Sequence, residues 1–195
     1  MSRIHLLACW SMALWLMVFA CTGTLPGAND TREETLCVIE TTQGTMTFRF
    51  FETDAPLHCA HFRTLVQAGF YDGKTFYRVV KGHVIQAGDG EGTAGPTVRA
   101  EFNARPHITG TVGMARDEDP DSGSTEFYIC LAPRPHLDGK YTVFGQLVDG
   151  YDVLEKIGHL PVNERFVGEE RKVAFHEPQE PLVIRKVTLQ TRPAE

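Results

Sequence analysis

The feature that most constrains this chain is how often its apolar runs are cut short. Between residues 36 and 190, β-prone stretches fall at 36–41, 45–51, 76–80, 83–86, 111–115, 126–131, 142–148 and 182–189. Each stops within eight residues at a glycine-bearing or charged turn, such as Gln43-Gly44, Asp72-Gly73 or Asp138-Gly139. Only two segments break this rhythm. Residues 56–68 follow Asp54, a helix-capping residue type, and Pro56, which suits a first turn. They carry an apolar stripe of Leu57, Ala60, Phe62, Leu65, Val66 and Ala68 before Gly69 stops the helix. A shorter helix is expected near residues 151–157. Many short strands with two isolated helices point to a closed antiparallel β-barrel, which removes exposed sheet edges, with strands pairing mostly with near neighbours across turns such as Asp138-Gly139 between 126–131 and 142–148. Residues 161–181 are charged and read as an irregular surface excursion.

The chain outside this region has another character. Arg3 and His5 precede an apolar run from Leu6 to Ala20, interrupted only by Ser11. A basic start, a short apolar core and small residues make a signal-peptide pattern over residues 1–20. The run is too short for a spanning helix, which needs about 20 apolar residues. It ends Val18-Phe19-Ala20-Cys21, similar to the lipobox at which bacterial lipoproteins are cleaved and lipidated on cysteine. Residues 22–35 are polar and read as a flexible tether. The resulting expectation is an extracytoplasmic protein, periplasmic or membrane-anchored through a lipid on Cys21.

The 195 residues are 42% hydrophobic and 23% charged, which suits one globular domain over residues 36–190. A formal net charge of −6 with no basic block excludes a nucleic-acid footprint. The glycine-rich stretch 88–100 lacks the Gly-Lys-Ser/Thr ending and following helix of a phosphate-binding loop. Cys37, Cys59 and Cys130 are too widely and irregularly spaced for a zinc site and read as buried thiols. His58-x-x-His61 could place two imidazoles on one helix face, but no acidic third ligand is evident nearby, so no metal is expected. His107, His159 and His176 read as surface groups.

The stretch Phe76-Tyr-Arg-Val-Val-Lys-Gly-His-Val-Ile-Gln-Ala-Gly-Asp89 puts one arginine on an apolar strand. Alternation assigns Phe76, Arg78 and Val80 to one face. A charge there is costly without partners, so Arg78 reads either as a snorkelling structural residue or as a functional one.

The second reading is favoured by a resemblance covering residues 36–190. The chain resembles the cyclophilins, which are peptidyl-prolyl cis-trans isomerases. Seven blocks occur in family order: Ala55-Pro56 with Phe62 and Leu65; Gly69-Phe-Tyr-Asp-Gly73; Phe76-Tyr-Arg-Val79; Ile85-Gln-Ala-Gly-Asp89; Gly110-Thr-Val-Gly-Met-Ala-Arg116; Ser124-Thr-Glu-Phe-Tyr-Ile129; and Leu137-Asp-Gly-Lys-Tyr-Thr-Val-Phe-Gly145. The resemblance implies an eight-stranded antiparallel closed β-barrel capped by two α-helices, with a groove on its outer surface. It implies no cofactor. Arg78 takes the position of the central catalytic residue, with Gln86 binding substrate backbone and holding that arginine. His83 and Val84 stand where the family usually has Phe and Met, two walls of the proline pocket. Tyr128 replaces the Phe of the pocket floor, Leu137 keeps its pocket role, and Ala115 and Arg116 line the neighbouring groove. Glu126 stands for a usual Gln, its charge placed to pair with Arg78 or Arg116 or to recruit cationic peptides. His136 replaces a Trp of many eukaryotic members, which implies weak cyclosporin binding. Tyr141 is a bacterial-like variant.

The implied activity needs no nucleophile or metal, because no bond breaks. Rotation about X-Pro faces a barrier of ~18–20 kcal/mol. A guanidinium placed at the pyramidal proline nitrogen opposes amide resonance and favours the twisted state. Expected partners are proline-containing polypeptides, bound by a monomer that assists folding of exported proteins. His83 removes apolar area from the pocket, a loss worth ~1–2 kcal/mol. The alternative reading is therefore a proline-peptide-binding module or chaperone with little turnover.

Overall fold

The structure is a computed structural model, and it describes residues 33–90, 95–167 and 173–193. The signal-like segment, Cys21 and most of the expected tether lie outside the described residues. The strand expected from Leu36 begins at Glu33, inside that tether.

The described chain runs β1 (Glu33–Thr41), β2 (Gly44–Phe50), α1 (Pro56–Gln67), β3 (Arg78–Val80), β4 (Val84–Ala87), β5 (Thr111–Met114), β6 (Phe127–Cys130), β7 (Val143–Asp149), α2 (Tyr151–Gly158), β8 (Val162–Val167), β9 (Val173–Pro178) and β10 (Ile184–Pro193). Eight strands form one antiparallel sheet in the order β10-β1-β2-β7-β5-β6-β4-β3. The order corrects one expectation. The turn near Asp138-Gly139 does not make β6 and β7 neighbours, because β5 lies between them.

A second correction concerns closure. The sheet curls into a half-barrel, but its edge strands β3 and β10 do not form a ladder. They approach through the single bridge of Thr75 with Val183 and flanking bonds from Phe76 N–H to Leu182 O (2.9 Å) and from Ile184 N–H to Lys74 O (2.8 Å). β3 is only three residues long, too short to carry a seam. The charged stretch 161–181 is not irregular: β8 and β9 pair as a hairpin from Val162–Pro178 to Val167–Val173.

The inner face of the curl is closed by both helices. Cys59, Phe62 and Val66 of α1 and Leu154 and Ile157 of α2 join one buried cluster with inward residues of the sheet. Phe62 is its centre. Its ring stacks on Tyr71 at 4.9 Å and meets Phe48, Phe127 and Phe144 within 5.7 Å. Aromatic pairs in such geometries contribute ~0.5–1.5 kcal/mol each beyond burial. The expected stripe of α1 is rotated: Leu57 is 52% exposed, while His58 is buried beside Cys59. Cys37, Cys59 and Cys130 are buried free thiols, as expected, and burial raises the pKa of each, to about 12 for Cys59 and Cys130.

The buried histidine explains the helix start. The N-cap of α1 is Ala55, which offers no side-chain acceptor, and Asp54 instead faces Arg105 at 2.7 Å. Glu101 supplies the cap from another part of the chain. Its oxygens accept from Leu57 N–H (3.0 Å) and His58 N–H (2.9 Å), and one lies 2.7 Å from His58 Nδ1. Burial lowers the His58 pKa against the opposing pull of Glu101. Burial would raise that of Glu101, but its bonds with His58 and Leu57 outweigh it and hold the carboxyl below its ordinary range. A neutral imidazole thus donates to a carboxylate. Glu101 is the acidic neighbour that sequence reasoning did not place there, while His61 Nε2 lies 2.8 Å from the Ser124 carbonyl.

Candidate active site

The outer face of β3, β4 and β6 carries the sequence-predicted residues. Along β4 and β6, side chains alternate strictly. Ile85, Ala87, Phe127 and Ile129 enter the inner core, whereas Val84, Tyr128 and Cys130 form a separate small cluster with Ala115, Leu137 and Tyr141. Arg78 pairs across the ladder with Gln86, and Gln86 with Tyr128, so these three lie side by side.

One expectation fails here. Phe76 and Arg78 do not share a face: Phe76 and Val79 are both buried in the core. β3 starts only at Arg78, and the preceding residues leave the ladder, so the period of two is lost between Phe76 and Arg78. That break brings Tyr77 to the outer side beside Arg78.

These residues surround a groove of about 230 Å3 lined by Arg78, His83, Val84, Gln86, Ala115, Arg116, Tyr128, Leu137 and Tyr141. Two expected members stand outside this lining. His136 stacks on His83 with ring centroids 5.9 Å apart, at the rim. Glu126 lies behind Gln86. A larger cavity of about 420 Å3, between α2 and the turn at Lys81 and Gly82, contains none of the sequence-predicted residues.

The polar network of the groove is directional. Arg78 Nη1 donates to Gln86 Oε1 at 3.0 Å. The Gln86 amide nitrogen donates to Tyr77 Oη and to Glu126 Oε2, each at 2.6 Å. Tyr77 in turn donates its hydroxyl proton to Glu126 Oε2. Glu126 Oε1 accepts from Gly90 N–H at 2.9 Å. A carboxylate only accepts, so it fixes the orientation of the Gln86 amide and turns its oxygen toward Arg78. Glu126 therefore pairs with neither Arg78 nor Arg116, two of the three roles expected of its charge. Gly88 permits this close approach. Its φ is +144°, and a Cβ there would lie 2.7 Å from Glu126 Cα.

Across the groove, Arg116 is held by carbonyl oxygens of Asp117 (2.7 Å) and Lys140 (3.0 Å) and lies over the Tyr141 ring at 4.6 Å. The floor is fixed from beneath. Tyr128 Oη lies 2.8 Å from His107 Nε2, and His107 Nδ1 lies 2.8 Å from Asp138 Oδ1. His107 is thus buried, not a surface group. Gly113 makes room for this anchor, since a Cβ there would fall 2.3 Å from the Tyr128 hydroxyl oxygen.

Electrostatics follow from burial. Desolvation lowers the Arg78 pKa, opposed by Tyr77 and Tyr141, and a guanidinium remains charged nonetheless. His83 is lowered to about 4, first by burial and then by Arg134, Arg78 and His136, so it is neutral at pH 7. Burial raises the Tyr77 and Tyr128 hydroxyls. The groove therefore combines fixed cationic donors, a neutral imidazole and an apolar floor.

Comparison with known proteins gives this arrangement its family. The model of the cyclophilin type peptidyl-prolyl cis-trans isomerases matches residues 36–189. A peptidyl-prolyl cis-trans isomerase of Synechococcus elongatus is 45% identical over 119 residues, covering 59% of this chain and 81% of that protein. One from Helicobacter pylori is 38% identical over 151 residues, covering 71% and 93%. The crystal structure of a Cryptosporidium parvum cyclophilin type isomerase superposes with a TM-score of 0.72 at 26% identity, over 82% of this chain and 99% of that one. The family match runs from within β1 to within β10 and includes every residue lining the groove, and the chain belongs to the cyclophilin-type peptidyl-prolyl cis-trans isomerases.

Proposed function

We propose that Arg78 is the catalytic donor of this isomerase, that Gln86 holds it, and that the groove beside them receives the proline. The supporting observation is the bond from Arg78 Nη1 to Gln86 Oε1 at the edge of a cleft floored by Val84, Tyr128 and Leu137. The ring rests on that floor, with Ala115, Arg116 and Tyr141 opposite and His83 and His136 at the rim. As the amide twists, the proline nitrogen regains its lone pair and accepts from the free donors of Arg78. The guanidinium offers several donors in a rigid fork, so one bond to Gln86 leaves others available. Partial exclusion of water strengthens this interaction in the transition state. A similar structure, that of the Cryptosporidium parvum isomerase at 25% identity, was determined in the presence of the dipeptide Ala-Pro, which supports proline-containing peptides as the partners here.

Arg78→Ala tests the assignment in a proline-peptide isomerisation assay. Loss of one such donor costs about 10²–10³-fold in rate. A variant as fast as wild type would remove Arg78 from the mechanism.

The wider setting we propose is export. The pattern of residues 1–20 and Cys21 supports an extracytoplasmic enzyme, anchored by lipid, that speeds folding of exported proteins limited by proline isomerisation. It acts as a monomer, and the imidazole of His136 in place of an indole makes cyclosporin binding weak. Palmitate labelling abolished by Cys21→Ser is the expected result, and no labelling of the wild-type chain would remove the anchor.

A further inference from the structure

We propose that the groove selects substrates with a carboxylate side chain directly flanking the proline; the proposal rests on the reading of the groove as the substrate site. The reason is a positive charge with no carboxylate among the residues that line the groove. Arg78 and Arg116 both line the groove, and none of the residues lining it is acidic.

The carboxylates nearby either are committed to other partners or stand outside the lining of the groove. Glu126 has both oxygens occupied, Oε1 by Gly90 N–H and Oε2 by Gln86 and Tyr77. Asp138, next to the groove residue Leu137, accepts from His107 N–H at 2.8 Å and lies as close to His107 Nδ1. Arg116 is held by backbone carbonyls and an aromatic ring, and of the exposed Asp117, Glu118, Asp119 and Asp121 that follow it, none forms an ion pair with it or lines the groove. A third guanidinium stands behind the rim. Arg134 Nη2 is 3.9 Å from where a Gly82 Cβ would lie, and its buried Nε has no hydrogen-bond partner. Its field reaches the groove, since it is among the groups that disfavour protonation of His83. Three guanidinium groups elsewhere face carboxylates: Arg63 with Glu52, Arg105 with Asp54 at 2.7 Å and Arg192 with Glu34 at 3.2 Å. The formal net charge of the chain is −6, so the excess of cations at the groove is local.

Charge of one sign in a cleft with low-dielectric walls focuses its field on an approaching ligand. A carboxylate beside the proline supplies the missing counter-charge, and guanidinium–carboxylate pairs are among the stronger hydrogen-bonded contacts. A cationic flanking residue meets repulsion from the same groups.

The test is kcat/KM of the full chain on proline tetrapeptides carrying Glu, Ala or Lys immediately before the proline, with a second set varied immediately after it. In at least one set, Glu should exceed Lys by about tenfold at low salt, with Ala between. The ratio should shrink as salt is raised. Arg116→Gln and, separately, Arg134→Gln should each lower the Glu-to-Lys ratio, whatever they do to absolute rates. Equal kcat/KM for the three peptides in both sets, a preference for Lys, or a salt-independent ratio would overturn the proposal. Absence of turnover with every peptide would overturn the isomerase reading itself, and the preference with it.

Discussion

The two faces of β4 and β6 are built from the same backbone and solve opposite problems. On the inner face, Ile85, Phe127 and Ile129 pack with Phe62, Tyr71 and Phe144 in a core that holds no charge. On the outer face, Gln86 donates to the neighbouring Glu126, Tyr128 is anchored on His107, and the Arg78 guanidinium is only partly dehydrated. Area buried decides the stability of the first face. Donor and acceptor orientation decides the work of the second. Because successive side chains alternate between faces, one ladder fixes Arg78 against a rigid support without placing its charge in the core.

This contrast can be broken from either side, beginning with the largest effect. Phe62→Ala removes the ring at the centre of the inner face and should cost about 3–5 kcal/mol of folding stability. Denaturant unfolding measures this, and activity per folded molecule should change little. Glu101→Ala removes the remote cap of α1 and leaves His58 buried without its carboxylate, which should cost about 2 kcal/mol by the same measurement. The smallest effect is the pH dependence contributed by His83. Its pKa is about 4 in the folded chain against an ordinary 6.5, so between these values the unfolded chain binds more protons. Stability from this group is complete above pH 6.5 and declines as pH falls toward 4. The unfolding midpoint of wild type should therefore drop more between pH 7 and pH 4.5 than that of His83→Phe. Equal drops would show that His83 is not desolvated.

The inner face was largely legible in the sequence, because apolar alternation and turn residues report burial directly. Strand positions came within a few residues, and Arg78, Gln86, Val84, Tyr128 and Leu137 were placed together through block order. What sequence reasoning missed shares one physical cause, namely polar partners brought from far along the chain. Glu101 caps a helix that begins 45 residues earlier, and its target His58 was not counted in the apolar stripe. His107 looked like a surface group because its partners, Tyr128 and Asp138, are distant in sequence. Phe76 was assigned to the face of Arg78 because strict alternation was assumed across a segment that leaves the ladder. Barrel closure was over-read for a related reason: eight strands fit a closed ladder, but β3 proved too short to form one with β10.

The central claim is that the forked geometry of Arg78, held by Gln86, does the work of the outer face independently of the core. Arg78→Lys tests it most directly, because it keeps the positive charge and removes the rigid fork. Measured side by side, kcat/KM for a proline peptide should fall by at least about tenfold, while the unfolding midpoint stays at the wild-type value. Full activity in Arg78→Lys, or a loss of activity that merely follows a loss of stability, would contradict the account.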